Sequence, residues 1–281
     1  MVKTSALKIL AVAAFAGIAA TSAFAADMAV KARPMPVAVY SWTGFYIGGN
    51  AGYSWGRSNT DAAFYNNTTG ALLATGNGAF DMDGWVAGGQ AGYNWQNDRW
   101  VFGLEGDIQA TGQKGNTAFT CAGTVCSTGI TAVAAALAPV NVTLENKLDW
   151  FATFRGRVGV TFTPTVLGYV TGGLAVGGVN GNGLISGRAN AVGGPVISST
   201  FSNDGTQVGW TVGAGVEASI GGNWTAKVEY LYLDLGNFHS TAVLAGNSPP
   251  SRVEFSSHVT DHIARVGVNY RFGGPAVVAK Y

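Results

Sequence analysis

Histidine, serine and aspartate side chains cluster toward the carboxyl end of the chain, between residues 234 and 262. The histidines are His239, His258 and His262, and the last two share a face on an extended strand. Such groups can ligate a metal or haem, or combine as a nucleophile, a base and an orienting acid. No nucleophile motif or fixed spacing links them, so we expect no catalytic residue, no metal site and no cofactor. Binding of haem by the segment that carries these histidines is the alternative.

The two cysteines, Cys121 and Cys126, lie in a stretch rich in Gly, Thr and Ser. In an oxidising compartment this short spacing favours a local disulfide that closes a small loop. A metal site is the alternative reading, but it needs a second pair of Cys or His ligands, and the neighbouring sequence offers none.

The amino terminus is typical of an export signal. A basic start precedes the apolar run Ile9–Ala20, which is too short to span a bilayer. Ala23-Phe24-Ala25 then supplies the small residues of a cleavage site. We therefore expect residues 1–25 to be a signal peptide and residues 26–41 to be an extended leader.

The composition suits a chain that is not fully surrounded by water. The 281 residues include 42 Gly, and only 11% are charged, whereas a soluble domain carries about a quarter charged residues. This indicates that much of the surface faces something other than water. The formal net charge of +1 gives no reason to expect a nucleic-acid partner.

Beyond residue 41 the sequence alternates with the period of two that is typical of β-strands. The phrase GFYIGGNAGYSW at 44–55 recurs as GWVAGGQAGYNW at 84–95, with aromatic residues at both ends of one face and glycines on the other. The alternation predicts eight strands, at about residues 42–55, 83–95, 99–109, 148–162, 166–179, 208–220, 224–232 and 259–272.

The predicted connections alternate in length. Three are tight, around 96–98, 163–165 and 221–223, and four are long, at about 56–82, 111–147, 180–206 and 236–258. An even strand count with this alternation is typical of an all-β, eight-stranded antiparallel up-and-down transmembrane β-barrel, with short periplasmic turns and long extracellular loops. We expect the barrel to occupy residues 42–272 and residues 273–281 to be a C-terminal extension. The apolar stretch 130–140 is interpreted as loop structure outside the barrel.

Aromatic residues near the strand ends are expected to form girdles at the two membrane interfaces. The predicted girdle residues are Phe45, Tyr53, Trp55, Trp85, Tyr93, Trp95, Trp100, Trp150, Phe162, Trp210, Trp224 and Tyr230.

Charged residues fall on the opposite face of the same strands, toward the inside. They should pair in so narrow a lumen, because an unpaired buried charge costs several kcal/mol. The predicted charge network is Arg99, Glu105, Asp107, Arg155, Arg157, Glu217, Lys227, Glu229, Asp261 and Arg265. Asp149 and Arg271 are expected at the wet rims.

Three motifs carry a resemblance to a known family: WTGFYIGGNAGY at 42–53, VEYLYLDLG at 228–236 and RVGVNYRF at 265–272. The chain resembles the small outer-membrane β-barrel proteins of Gram-negative bacteria, the RopB-like, opacity-type surface proteins often named a porin family. The resemblance implies insertion by the outer-membrane assembly machinery, which reads a final strand ending in alternating aromatics. Tyr270 and Phe272 match that signal, although the chain here continues beyond the Phe.

The expected function is that of a non-enzymatic integral outer-membrane barrel. It would support envelope integrity, display its surface loops and conduct weakly at most, because paired charges fill the lumen. Its partners would be outer-membrane lipid and lipopolysaccharide, the assembly machinery and an external ligand bound through the loops. The alternatives are a small-solute porin, and an adhesin or receptor whose loops bind haem or a host molecule.

Overall fold

Most of the described chain, including the segments in which apolar and polar residues alternate, forms β-strands. The computed structural model describes residues 40–122, 125–126, 131–132, 140–188, 196–244 and 251–272. The strands are β1 (Gly44–Asn66), β2 (Leu72–Asn97), β3 (Trp100–Ala122), β4 (Val125–Cys126), β5 (Thr131–Ala132), β6 (Val140–Thr163), β7 (Val166–Arg188), β8 (Val196–Gly221), β9 (Trp224–Leu244) and β10 (Ser251–Phe272). The predicted signal peptide, nearly all of the leader, the C-terminal extension and most of the stretch 130–140 lie outside the described residues.

The eight long strands close into a barrel. Neighbours pair antiparallel in the order β1-β10-β9-β8-β7-β6-β3-β2, and β1 also pairs with β2. Phe45 of β1 therefore stands opposite Phe272 of β10 on one side and opposite Tyr93 of β2 on the other. The predicted all-β antiparallel barrel is confirmed. No helix in the described part of the chain is long and apolar enough to span a membrane.

Tight turns join the strands at one end of the barrel. They fall at residues 98–99, 164–165 and 222–223, where the sequence predicted short connections. Asp98 and Gly222 have φ values of 53° and 55°, the left-handed conformation that tight hairpins require. The first residues of β1 and the last of β10 lie at this same end.

At the other end the strands run far past their predicted boundaries. They are 21 to 26 residues long, whereas about 9 to 11 residues cross an apolar band. The connection between β1 and β2 is only 67–71, so the predicted long loop at 56–82 is wrong. Most of the predicted loops at 111–147, 180–206 and 236–258 are likewise strand.

The reason for this difference is that the barrel continues as a wall beyond the apolar band. Gly, Asn, Ser and Thr are typical of loops in a sequence, but here they lie on paired strands. Some of them face outward, and others, such as Ser58 and Thr60, face inward. Val142, Val253 and Phe255 are buried inside this outer part. We call the part of the barrel beyond Trp55 and Trp85 the outer extension.

Aromatic side chains ring the outside of the barrel at two levels. Across the β1–β2 pair, Tyr53 stands opposite Trp85 and Phe45 opposite Tyr93, eight residues away along β1. Eight residues rise about 26 Å along a strand, or about 20 Å along the barrel axis at a tilt of roughly 40°. All twelve residues of the predicted girdles are exposed, from 37% for Tyr93 to 72% for Phe162.

Inward glycines let neighbouring strands carry large side chains. A Cβ at Gly52 would lie 2.2 Å from the carbonyl oxygen of Ala264 and 2.7 Å from Cα of Arg265. The outward Gly49, three residues away in the same phrase, has its nearest neighbour at 3.7 Å. The two glycines therefore differ in what a side chain would displace.

We expect Gly52→Val to destabilise the folded barrel by about 1–3 kcal/mol, because the backbone at the β1–β10 seam must shift. Gly49→Val should change stability by less than about 0.5 kcal/mol. Urea unfolding in detergent micelles, with electrophoresis of unboiled against boiled samples, measures both. Equal loss in the two variants would contradict the role given to the inward glycine.

Candidate functional site: the filled lumen

The middle of the lumen holds a layer of charged side chains that the strand register brings together. Arg155 of β6 is the register partner of Glu105 of β3, and Arg265 of β10 is the partner of Glu229 of β9. Lys227 of β9 is paired with Glu217 of β8 in the same way. The central charges thus come from five strands, β3, β6, β8, β9 and β10. We call this layer the ionic layer; its members are Glu105, Asp107, Arg155, Arg157, Glu217, Lys227, Glu229 and Arg265.

Arg155 lies at the centre of this layer. Its Nη2 atom bonds both Glu105 and Asp107, the latter at 2.8 Å, and its Nη1 atom lies 3.2 Å from Oε1 of Glu229. Arg265 approaches Glu229 at 2.6 Å and Asp107 at 3.2 Å. Each of these side chains is buried.

The remaining two cations complete the balance. The ammonium of Lys227 lies 3.0 Å from Glu105, and Arg157 lies 2.7 Å from Glu217. The guanidinium of Arg157 also stacks on the ring of Tyr169, 4.2 Å from its centroid. Four carboxylates therefore face four cations, and the ionic layer carries no formal net charge.

Neutral donors occupy further carboxylate oxygens. The hydroxyl of Tyr46 donates to Glu105 at 2.7 Å, and that of Tyr169 donates to Glu229 at 2.9 Å. Thr153 donates to Asp107 at 2.7 Å. Such bonds matter because a buried ion pair is stable only when its remaining hydrogen-bonding groups are satisfied.

An aromatic stopper closes the end of the barrel that carries the tight turns. Trp42 is fully buried there, packed with Val101 and Leu167. Its backbone N–H donates to Gln96 at 2.6 Å, and its indole N–H donates to the carbonyl of Pro164 at 3.2 Å. The segment that leads into β1 thus folds back into the mouth of the barrel.

An apolar layer fills the lumen on the side of the ionic layer that faces away from the aromatic stopper. Its buried members are Phe80, Met82, Val86, Leu148, Phe151, Ala175, Val179, Leu231, Leu233, Leu235, Phe238, Val259 and Ile263. Sequence reasoning missed this layer, since it predicted a lumen filled by charges. The signal was present in YLYLDL at 230–235, whose leucines continue the inward positions of Lys227 and Glu229.

Two predicted members of the charge network lie elsewhere. Arg99 is exposed in the turn between β2 and β3, so its assignment to the lumen is wrong: inward alternation begins only after that turn, at Val101. Asp261 is buried among the apolar residues, where it accepts a hydrogen bond from Gln113 at 2.7 Å. Within the described ranges no cationic group lies within 4.0 Å of Asp261, so it is not part of the ionic layer.

The predicted rim residues take different places. Asp149 is exposed and accepts a hydrogen bond from Asn180. Arg271 is buried in the stopper, where its guanidinium lies 4.4 Å from the ring centroid of Tyr40.

Two of the histidines lie on the outside of the barrel rather than in a pocket. His262 sits among Trp55, Tyr230 and Tyr232, and its Nδ1 lies 2.6 Å from the Tyr230 hydroxyl. His258 contacts Asn237 at 2.9 Å. In the described part of the chain no three His, Cys, Asp or Glu side chains are grouped so as to hold a metal ion.

Two further sets of predicted residues have a described backbone position. Cys121 and Cys126 are register partners across β3 and β4; their side chains lie outside what the structure describes, and the disulfide stays a prediction. Tyr270 and Phe272 end β10, with their rings 5.2 Å apart. Their role as an assembly signal also stays a prediction.

We expect Arg155→Met to lower the free energy of unfolding by about 3–5 kcal/mol, because three buried carboxylates lose their shared cation. The control is Arg57→Met, which removes an exposed pair with Asp81 at 4.0 Å and should cost at most about 1 kcal/mol. Urea unfolding followed by tryptophan fluorescence gives both values. Similar costs for the two variants would count against a stabilising ionic layer.

The comparisons with known proteins agree with this architecture. Residues 11–272 match the family model described as outer membrane protein beta-barrel domain. The 31 kDa outer-membrane immunogenic protein of Brucella melitensis is 37% identical over 276 residues, covering 95% of this chain and 100% of that protein.

Two further relatives extend the similarity. The 25 kDa outer-membrane immunogenic protein of Brucella abortus is 30% identical, over 89% of this chain and 91% of that protein. A 22 kDa outer membrane protein of Rhizobium leguminosarum is 32% identical, over 69% and 64% of the respective chains. With its closed antiparallel barrel and exposed aromatic rings, this chain belongs to the outer membrane protein β-barrel family of Gram-negative bacteria and is located in the outer membrane.

Proposed function

We propose that this protein is a sealed structural barrel that supports the integrity of the outer membrane and presents its outer connections at the cell surface. The observation that carries this proposal is the filling of the lumen by three successive layers: the aromatic stopper, the ionic layer and the apolar layer. Trp42, Arg155 and Phe151, one from each layer, are fully buried.

A closed lumen argues against the small-solute porin. An eight-stranded barrel is only wide enough for side chains to fill it, and water-filled channels belong to barrels of about 16 strands. In this chain a solute would have to displace the salt bridges of Arg155 and Arg265 and also pass the packed leucines of β9. The ionic layer therefore acts as a support for the barrel wall rather than as a path.

The outer extension supports a display role. Its strands extend well away from the apolar band, and the described connection between β1 and β2, residues 67–71, lies at their far end. The two Brucella relatives are named as outer-membrane immunogenic proteins, a name that fits surface exposure of those proteins. By the same reasoning, we infer that the corresponding connections here are exposed to the surroundings of the cell.

We expect the pure protein, inserted in a planar lipid bilayer, to show no stable large channels. A porin of about 16 strands inserted in the same bilayer is the positive control. The physical reason is the desolvation that any ion meets in the apolar layer. Stable porin-like conductance steps from this protein would contradict the sealed-lumen proposal.

We expect a peptide tag inserted between Thr68 and Thr69, in the connection between β1 and β2, to bind antibody on intact cells. The matched control is the same tag between Gly222 and Asn223, in a tight turn at the opposite end of the barrel. That tag should bind antibody only after the outer membrane is permeabilised. The reverse labelling pattern would overturn the proposed display topology.

A further inference from the structure

The first and the last long strand of the barrel meet in a single seam. β1 pairs with β10 from residue 45 to residue 66, beginning with Phe45 opposite Phe272. Pairing strands from the two ends of the barrel closes the longest loop in the chain, which costs the most chain entropy. Some of the register pairs include a glycine, such as Gly49 opposite Val268, and a glycine adds no side chain to a cross-strand pair. We therefore expect this seam to be the part of the wall that opens first.

A short segment enters the mouth of the barrel just before β1. We call residues 40–43 the strap. The chain leaves the wall at Gly44, whose φ of 141° lies in a region that other residues rarely adopt. A Cβ at this position would also lie 3.0 Å from the carbonyl oxygen of Phe272. Glycine at this position therefore lets the strap turn into the lumen while β1 stays paired with β10.

Hydrogen bonds fix the strap to parts of the wall other than β10. The backbone N–H of Trp42 donates to the side chain of Gln96 on β2, and the indole N–H donates to the carbonyl of Pro164, in the turn between β6 and β7. The backbone N–H of Gln96 in turn donates to the hydroxyl of Thr43 at 2.9 Å. The strap is thus held in place before β10 is considered.

Arg271 joins β10 to the strap. Its guanidinium carbon lies 4.4 Å from the ring centroid of Tyr40 and 5.8 Å from that of Trp42, and its Nη1 atom donates to the carbonyl of Ser41. The two rings stand edge to face with their centroids 5.2 Å apart, an arrangement that aromatic pairs favour. Arg271 is buried, and among the residues that the structure describes no carboxylate oxygen lies within 4.0 Å of its guanidinium. The strap therefore supplies much of what holds this cation.

The same arginine stands at the inner end of the seam. Arg271 is the register partner of Tyr46, next to the pair with which the seam begins. Its backbone N–H donates at 2.9 Å to the carbonyl of Asn223, in the turn between β8 and β9. If β10 moved away from β1, the guanidinium would have to leave both rings and the carbonyl of Ser41. Opening of the seam and release of the strap are therefore coupled.

We propose that the strap is a latch for the seam between β1 and β10, and that Arg271 is the side chain that engages it. A cation beside aromatic rings is attracted more strongly when it is removed from water, as it is here. This attraction is lost when the seam opens, because the guanidinium then returns to water. The latch determines how long the barrel stays closed, so it does not depend on whether the lumen conducts or on which connections are displayed.

The test measures hydrogen exchange of the full-length barrel in detergent micelles, by mass spectrometry of peptic fragments. We expect Arg271→Gln to raise the exchange rates of residues 45–52 and 264–272 on the order of tenfold, because the seam opens more often, and to leave β6 and β7 near their wild-type rates. Trp42→Ala should have the same effect. Arg271→Lys keeps the charge, and it should give a smaller rise in the same two segments.

The matched control is Arg99→Gln, because Arg99 is an exposed cation at the same end of the barrel; this variant should exchange like the wild type. The heat-dependent electrophoretic shift establishes that each variant is folded. Unchanged exchange in Arg271→Gln, an equal rise in Arg99→Gln, or a rise spread evenly over all strands would overturn the proposal.

A covalent seam distinguishes a latch from a side chain that only fills the mouth. Ala51 and Val266 are outward-facing register partners on β1 and β10, a placement that suits a disulfide. We expect the oxidised pair Ala51→Cys/Val266→Cys to restore slow exchange of the seam in Arg271→Gln, and reduction of that disulfide to abolish the rescue. Fast exchange that persists in the oxidised protein would also overturn the proposal, since the seam could then no longer be what opens.

Discussion

The narrow lumen of an eight-stranded barrel is the constraint on which the other features depend. Every inward side chain in the middle of such a cylinder is removed from water, so every inward charge must find a partner inside. The ionic layer meets this demand with four carboxylates and four cations drawn from β3, β6, β8, β9 and β10. The large inward side chains also need space, and glycines on neighbouring strands leave that space free. A Cβ at Gly92 would lie 2.4 Å from the Tyr46 hydroxyl, which itself donates to Glu105. Charge balance and glycine placement are therefore two consequences of one geometry.

The same constraint explains why the lumen is layered instead of uniformly polar. Within the membrane the outside of the barrel is apolar, so a polar interior distinguishes the two faces of each strand. In the outer extension the outward face of the wall meets water, so apolar residues are favoured on the inward face instead. Leu144, Val253 and Phe255 then form a buried cluster of the kind found in soluble β-proteins. A β-barrel that leaves the membrane thus changes which face is apolar, and the apolar layer marks where this change occurs.

The sequence allowed the fold to be predicted, because period-two alternation, tight turns and paired aromatic phrases are local signals. The central salt-bridge residues could also be predicted, since Arg155, Lys227 and Glu229 lie on strands with clear facing. The strand lengths could not. On β1 just beyond Trp55 the outward residues are polar, and inward ones such as Ser58 and Thr60 are polar too, so the alternation of hydropathy vanishes there although the pleat continues. Arg99 was misplaced because it lies in the turn itself, and inward alternation starts only after the turn, at Val101. The partner of Asp261 is Gln113, 148 positions away, and no local pattern reveals so distant a contact.

Alternation also separates the tasks of the two faces, which bears on where function can reside. Inward residues of this barrel fill its interior, so replacing one of them changes the packing or the charge balance there. Outward residues of the outer extension are less constrained, because each of them contacts solvent and only its neighbours along and across the wall. Lys114 of β3 and Lys147 of β6 can therefore remain register partners on the outer wall, where Glu145 lies 2.9 Å from Lys147. Two adjacent unpaired cations in the lumen would not be tolerated. It follows that in a barrel filled in this way stability depends on the lumen, which leaves the outer wall and the tips as the surfaces that can take part in recognition.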